Sequence, residues 1–215
     1  MPSDTRTRLV LTAMQLFLEK GYASTSVADV LHSAGLNSGS LYHFFPGKQD
    51  LLLAVLDAYR AGIGSMLLEP AWAGVTDPLE KIFALLAAYR RALAGTDCQY
   101  ACPIGSLALE LHEPDLAVRE RLAANFRAWT QAIEGCLEDA AARLPPSLRR
   151  CELASYVLTV MEGAVMQART FRDLQYFDGA VSQLRAHFES LLREAGGARR
   201  RPRKSTRKKL QGSPP

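Results

Sequence analysis

Apolar residues recur at three- and four-residue steps along most of the chain, and no stretch alternates cleanly at period two, so the sequence reads as helices throughout. Leu9, Ala13, Leu16 and Phe17 share one face of a first helix that stops at Gly21. A second begins at Ser26, a capping residue with Asp29 three positions on, and buries Val27, Val30, Leu31 and Ala34. Gly35 sits where a left-handed residue ends a helix, and Asn37 caps a short third helix, Ser38 to Phe45, broken by Pro46-Gly47.

The fourth helix starts near Lys48, carries a stripe of Leu51, Leu52, Val55, Leu56, Tyr59, Ile63 and Leu67, and is expected to end at Pro70. Asp77-Pro78 pairs a cap with proline at the first helical position and opens a helix to about Ala94. An irregular stretch holding Cys98 and Cys102 leads to a short helix, Ile104 to His112. After Pro114 a long one shows Leu122, Phe126, Trp129, Ile133 and Leu137. Pro145-Pro146 interrupts it, and two final helices run from about Ser147 to Phe171 and from about Phe177 to Glu194. The expected fold class is therefore all-α, about nine helices without internal repeat. Residues 1–47 form a small three-helix domain, 48–195 a larger helical domain with 48–69 connecting the two, and 196–215 a tail.

With 48% hydrophobic residues in 215, the chain has enough apolar surface to bury a core, which excludes disorder throughout. Charges interrupt the longest apolar stretches short of the ~18 residues a membrane-spanning helix needs, so none is expected. Leu9 to Leu18, after Arg6 and Arg8, imitates a signal peptide but runs into Glu19-Lys20. With four Cys, too few for a disulfide scaffold, the expectation is a cytoplasmic protein without a membrane partner.

The net charge of +4 changes meaning when partitioned. Residues 196–215 carry eight basic side chains, from Arg199 to Lys209, and no acid, leaving residues 1–195 at −4. With Gly, Pro and Ser framing those charges and almost nothing apolar to bury, this tail is expected to be disordered.

Three short helices with a tight turn at Ala34 to Asn37 make a helix-turn-helix, whose second helix enters the DNA major groove. The run from Ser26 to Leu52 resembles the N-terminal signature of TetR/AcrR-family transcriptional regulators, at Gly35, Gly39, Leu41-Tyr42, Phe45, Lys48 and Leu51, with the preceding Phe17 and Gly21. One departure is that many members read Tyr-Tyr-His-Phe where this chain has Tyr42-His43-Phe44-Phe45. Cys102-Pro-Ile-Gly-Ser-Leu-Ala-Leu-Glu110 further resembles a stretch of the LmrA/YxaF-like and NemR-like branches, and the latter sense electrophiles through a Cys there. The resemblance implies a homodimer through the last two helices, a double-stranded palindromic operator, and a small-molecule effector of unknown identity whose binding releases a repressor.

Helix N-termini bind phosphate through unpaired N–H groups. Thr25, Ser26, Asn37 and Lys48 are the candidates for backbone contact, and Ser38, Gly39, Ser40, Tyr42 and His43 for base reading. Residues 1–48 carry four basic and three acidic side chains, a thin footprint for meeting a polyanion. The basic tail is a candidate source of the missing attraction.

In the larger domain Tyr59, Phe83, Tyr89, Cys102, Phe126, Trp129 and Met161 are candidate pocket residues, with plain core the leading alternative for each. His112 and Arg169 are candidates to fix a polar group. Cys102 could serve a thiol-based sensor, or remain buried and inert. A Cys-dependent enzyme is the competing class, but no base announces itself beside Cys102, and the Gly/Ser run 35–40 completes no phosphate loop. No enzyme, no cofactor and no metal site is expected, since His112 alone is thin support for metal at Cys98 and Cys102.

Overall fold

The computed structural model describes residues 2–200, and every described helix is α apart from two short turns. They are α1 (Pro2–Lys20), α2 (Val27–Ser33), α3 (Ser38–Phe44), α4 (Lys48–Ile63), a π turn (Gly64–Leu68), α5 (Glu69–Trp72), α6 (Pro78–Gly95), α7 (Pro103–Glu110), α8 (Leu116–Asp139), a 3-10 turn (Ala141–Arg143), α9 (Arg150–Phe171) and α10 (Gln175–Arg200). No strand occurs among the described residues. The expectation of disorder from Arg201 onward falls outside them.

Local chemistry sets the boundaries. Ser26 and Asp29 form a reciprocal capping box at the start of α2. Gly35 takes φ +61°, and the Leu36 N–H reaches back to the Leu31 carbonyl to close the helix. Asp77 accepts the N–H groups of Leu79 and Glu80 ahead of Pro78 at the start of α6.

Three expectations are corrected. Pro70 does not end the fourth helix. The preceding turn widens, with the Glu69 N–H donating to the Gly64 carbonyl five residues back. That shift of register moves aside the carbonyl a proline ring would strike, and Pro70 enters the resumed helix α5. The continuous rod Lys48–Trp72 also contains an 18-residue stretch long and apolar enough to cross a membrane, with a mean hydropathy of 1.5, because averaging tolerates the two charges Asp57 and Arg60 within it. Its buried residues Leu51, Leu52, Val55 and Leu56 pack into the protein core, and Asp57 pairs with Arg121 at 3.0 Å. Finally, α10 continues through Gly196-Gly197 to Arg200, carried by the buried Ala195, so the helix overlaps the first residues of the expected tail.

Two hydrophobic clusters organise the molecule. One gathers Leu9, Phe17, Val30, Leu31, Leu41 and Phe45 with Leu51, Leu52, Val55 and Leu56 of α4, and it is closed by Leu107 of α7 and Val118 and Leu122 of α8. The chain breaks at Pro46-Gly47 as expected, yet the apolar core crosses that break. Burying each such Leu is worth about 1.5–3 kcal/mol, so the three-helix head is held against the larger domain. The second cluster lies among α6, α8, α9 and α10 and includes Ile82, Leu86, Ile133, Val157, Met161, Phe177 and Phe188. Between the clusters the buried Asn125 donates to the Leu56 carbonyl at 3.0 Å and the Arg121 carbonyl at 2.9 Å, joining α8 to α4.

Candidate functional site

The head presents α3 as its outward element. Leu41 and Phe45 are buried, while Tyr42 stands 61% exposed, with Asn37, Gly39 and His43 also exposed and Ser40 half-buried. A Cβ on Gly39 would meet nothing within 4 Å, so this surface is open to close approach. The His43 ring stands edge-on to Phe44 at 4.7 Å. Ser38 opens the helix. Neither Asn37 before α3 nor Gly47 before α4 makes a side-chain cap, so both first turns turn uncapped N–H groups outward.

The backbone-contact candidates fare differently. Thr25 is 0% exposed, and its hydroxyl donates inward to the Gly21 carbonyl at 2.7 Å; folding consumes the group expected to reach phosphate. The Ser26 hydroxyl accepts from the Asp29 N–H at 3.1 Å and donates to the Asp29 carboxylate at 2.6 Å, so α2 already holds an anion at its N-terminus. Those hydrogen bonds from Ser26 hold the Asp29 carboxyl below its ordinary range. Lys48 folds back: its ammonium lies 4.2 Å from the Tyr22 ring centroid and 3.5 Å from the Ala23 carbonyl. Partial burial draws its pKa down.

The same loop meets a group the sequence reading missed as a partner. The Glu110 carboxylate, in the last turn of α7, accepts the N–H of Tyr22 at 2.8 Å and of Ala23 at 2.6 Å. Glu110 lies 88 residues from Tyr22, and no local pattern announces such a bond.

The other end of α7 forms the wall of a cavity. An inner chamber of about 180 Å³ is lined by Tyr59, Tyr89, Tyr100, Trp129, Asn125 and Glu162, among others, and an outer one of about 600 Å³ by Gly105, Met166, Arg169 and Arg172; Cys102, Phe126 and Glu162 face both. Five candidate pocket residues, Tyr59, Tyr89, Cys102, Phe126 and Trp129, are thus brought together. Phe83 and Met161 are corrected to core: Phe83 stands edge-on to Phe188 at 5.3 Å beneath the Arg185 guanidinium, and Met161 is fully buried in the second cluster. Arg169 lines the outer chamber, whereas His112 is exposed.

Sequence reasoning missed Tyr100, Asn125 and Glu162. Asn125 and Glu162 left a trace, for each is a polar residue inside an apolar helical stripe, between Leu122 and Trp129 and between Leu158 and Val165. Burial raises the pKa of Glu162 and pushes the Tyr59 phenol up to about 12.

Cys102 is 7% exposed, and burial foremost, then the Glu162 carboxylate beside it, pushes its thiol up to about 12. That is the reverse of the lowered pKa a thiol sensor needs, and together with the burial of Cys102 it favours the inert reading over the thiol-sensor one. Among the described residues no group of three His, Cys, Asp or Glu is placed to hold a metal.

Comparison with known proteins matches residues 9–55 to the model of bacterial regulatory proteins of the tetR family, and residues 78–183 to the transcriptional regulator LmrA/YxaF-like C-terminal domain. An uncharacterized HTH-type transcriptional regulator of Mycobacterium tuberculosis is 34% identical over 84% of this chain and 92% of its own length. The chain belongs to the tetR family of transcriptional regulators. Within that family the HTH-type transcriptional repressor DhaR of Mycobacterium sp. is 26% identical over 88% of this chain and 93% of its own. The crystal structure of a TetR transcriptional regulator from Chloroflexus aurantiacus superposes with a TM-score of 0.75 at 27% identity, covering 87% of this chain and 96% of that one. As a family member the protein is a transcriptional regulator with an N-terminal helix-turn-helix head and a helical C-terminal domain.

Proposed function

We propose that the protein is a cytoplasmic repressor that grips a palindromic operator as a homodimer and releases it when a small molecule occupies the cavity behind α7. The observation that carries this reading is the outward face of α3, where Tyr42 stands exposed beside Asn37, Gly39, Ser40 and His43 while Leu41 and Phe45 anchor the helix. These side chains suit base edges and thymine methyls, and the uncapped starts of α3 and α4 suit phosphate. The repressor name of DhaR supports the sign of regulation.

Support for the dimer comes from α9 and α10, where Tyr156, Met166, Phe171 and Tyr176 are exposed and a Cβ on Gly163 would meet nothing within 4 Å. Ala164 and Ala168 are buried within the subunit, so close approach of a partner helix falls to Gly163 and its neighbours. A two-fold dimer carries two reading helices to two half-sites, and a ligand that prefers the wrong spacing lowers affinity by its difference in binding.

The test is fluorescence anisotropy of a DNA fragment from upstream of the protein's own gene. Wild type is expected to bind it more tightly than a shuffled fragment and to leave a two-fold symmetric footprint. Tyr42→Ala is expected to lose on the order of ten-fold in affinity with unchanged melting. Equal binding to specific and shuffled DNA would sink the proposal.

A further inference from the structure

The inner chamber combines three features. Among its lining residues Glu162 is the sole charged one, and its Oε1 is buried without a hydrogen-bond partner. The surrounding wall is aromatic, from Tyr59, Tyr89, Tyr100, Phe126 and Trp129. Glycine at position 105 is what makes the carboxylate's position possible, because a Cβ there would collide with Glu162 Oε2.

The Cys102 thiol hydrogen-bonds the Glu162 carboxylate but leaves the buried Oε1 unpartnered, which is costly, and the rings around it present negative π faces. Both features favour the same visitor. From this geometry we infer that the inner chamber is a binding site for a lipophilic organic cation, an alkyl- or arylammonium, with Glu162 as its counter-ion and the tyrosine and tryptophan rings as its cage. The cation would supply the charge Glu162 lacks and draw its carboxyl back toward the ionised form. Arg169 and Arg172 line only the outer chamber, which leaves the inner one without a competing positive charge and gives the ligand's apolar body room to extend. Together the chambers fall within the roughly 300–1,000 Å³ typical of small-molecule sites. This inference rests on the effector-released reading above and names the class of effector.

The test titrates the full-length protein with benzyltrimethylammonium, its neutral isostere neopentylbenzene, and the anion phenylacetate, following intrinsic Trp fluorescence. The cation is expected to bind wild type at least about ten-fold more tightly than either comparator. Glu162→Gln is expected to weaken the cation about ten-fold and leave neopentylbenzene unchanged. Equal affinity of wild type for cation and isostere, no binding of the cation, or full cation affinity in Glu162→Gln would overturn the inference; should the variant misfold, the wild-type comparison decides alone. Parallel operator titrations separate the two readings. A cation that binds with Glu162 dependence but leaves DNA bound supports the site and counts against effector release, whereas release by a neutral compound without cation binding overturns the site and supports release.

Discussion

The carboxylate of Glu110 accepts the backbone N–H of Tyr22 at 2.8 Å, tying the last turn of α7 to the loop between the first two helices of the head. The Ala23 N–H joins the same carboxylate, and Lys48 covers the Tyr22 ring. Because α7 begins at the cavity wall beside Cys102 and Glu162, one eight-residue helix touches both the cavity and the head.

Glu110→Gln keeps the shape of the side chain but leaves one oxygen to do the work of two, and its amide group meets an N–H donor. Charge-assisted bonds of this kind, partly open to water, are expected to be worth about 1–2 kcal/mol together. The melting temperature should fall by about 2–8 °C, and amide exchange at Tyr22 and Ala23 should accelerate more than at Leu41 or Leu52. Unchanged exchange at Tyr22 and Ala23 would show that the loop is held by other contacts.

Thr25 separates stability from recognition. In Thr25→Val the shape is retained, the Gly21 carbonyl loses its buried donor, and stability should drop by about 1–2 kcal/mol. Since the native hydroxyl points inward, the folded variant should keep the DNA affinity of wild type. An anisotropy titration below the melting transition checks this; an affinity loss comparable with that of Tyr42→Ala would place Thr25 at the interface after all.

How much of this was legible beforehand depends on how far apart the interacting residues lie. The capping box of Ser26 and Asp29, the left-handed Gly35 and the Asp77-Pro78 start are local, with the physics complete within four residues, and they stand in the fold where the sequence puts them. Tyr42 follows from helical phase once Leu41 and Phe45 are assigned to the core. Glu110 and Lys48 are different, since a helical pattern shows which face a residue occupies and not which distant loop it meets. Glu162 looked like an ordinary polar position on α9 until α7 brought Gly105 against it. Pro70 misled for a related reason: proline breaks the regular hydrogen-bond ladder, but a single wide turn repairs the register.

The cysteines should divide sharply in reactivity. Cys151 is exposed, while Cys98, Cys102 and Cys136 are buried, and burial raises the thiols of Cys102 and Cys136. Brief treatment with iodoacetamide near pH 7.5, followed by peptide mass spectrometry, should label Cys151 first and Cys102 only after denaturation. Labelling of native Cys102 at the rate of Cys151 would restore the thiol-sensor reading.

Acid should loosen α10 from α6. Arg90 lies 2.6 Å from Asp178 and Arg185 lies 2.8 Å from Glu80, and hydrogen bonding to the arginines holds both carboxyls below their ordinary values. A lowered folded pKa gives stability that is fully present above the unfolded values of about 3.9–4.3 and is lost as pH falls through the folded values. The pairs are exposed, so Glu80 and Arg185 should contribute no more than about 1 kcal/mol. Melting curves of Asp178→Asn and wild type should therefore differ at pH 7 and converge as pH falls from the unfolded value of about 3.9 through the lowered folded one. A difference that persists unchanged below the folded value would assign the effect to packing.

The basic tail should govern how the protein finds DNA and leave unchanged what it reads. Six of the 26 basic side chains lie beyond Arg200 with no acid among them, so residues 1–200 are net −2 and depend on helix termini to meet a polyanion. Each phosphate neutralised contributes about 0.9 to the slope of log affinity against log salt. Removing residues 201–215 should flatten that slope, weaken binding to specific and shuffled DNA by the same factor, and preserve their ratio, because base reading stays with α3. Tyr42→Ala should do the opposite, collapsing the ratio while keeping the slope. Measuring both variants across 50–300 mM salt would distinguish the two contributions, and a truncated protein with unaltered slope would show that the tail makes no contact with the phosphate backbone.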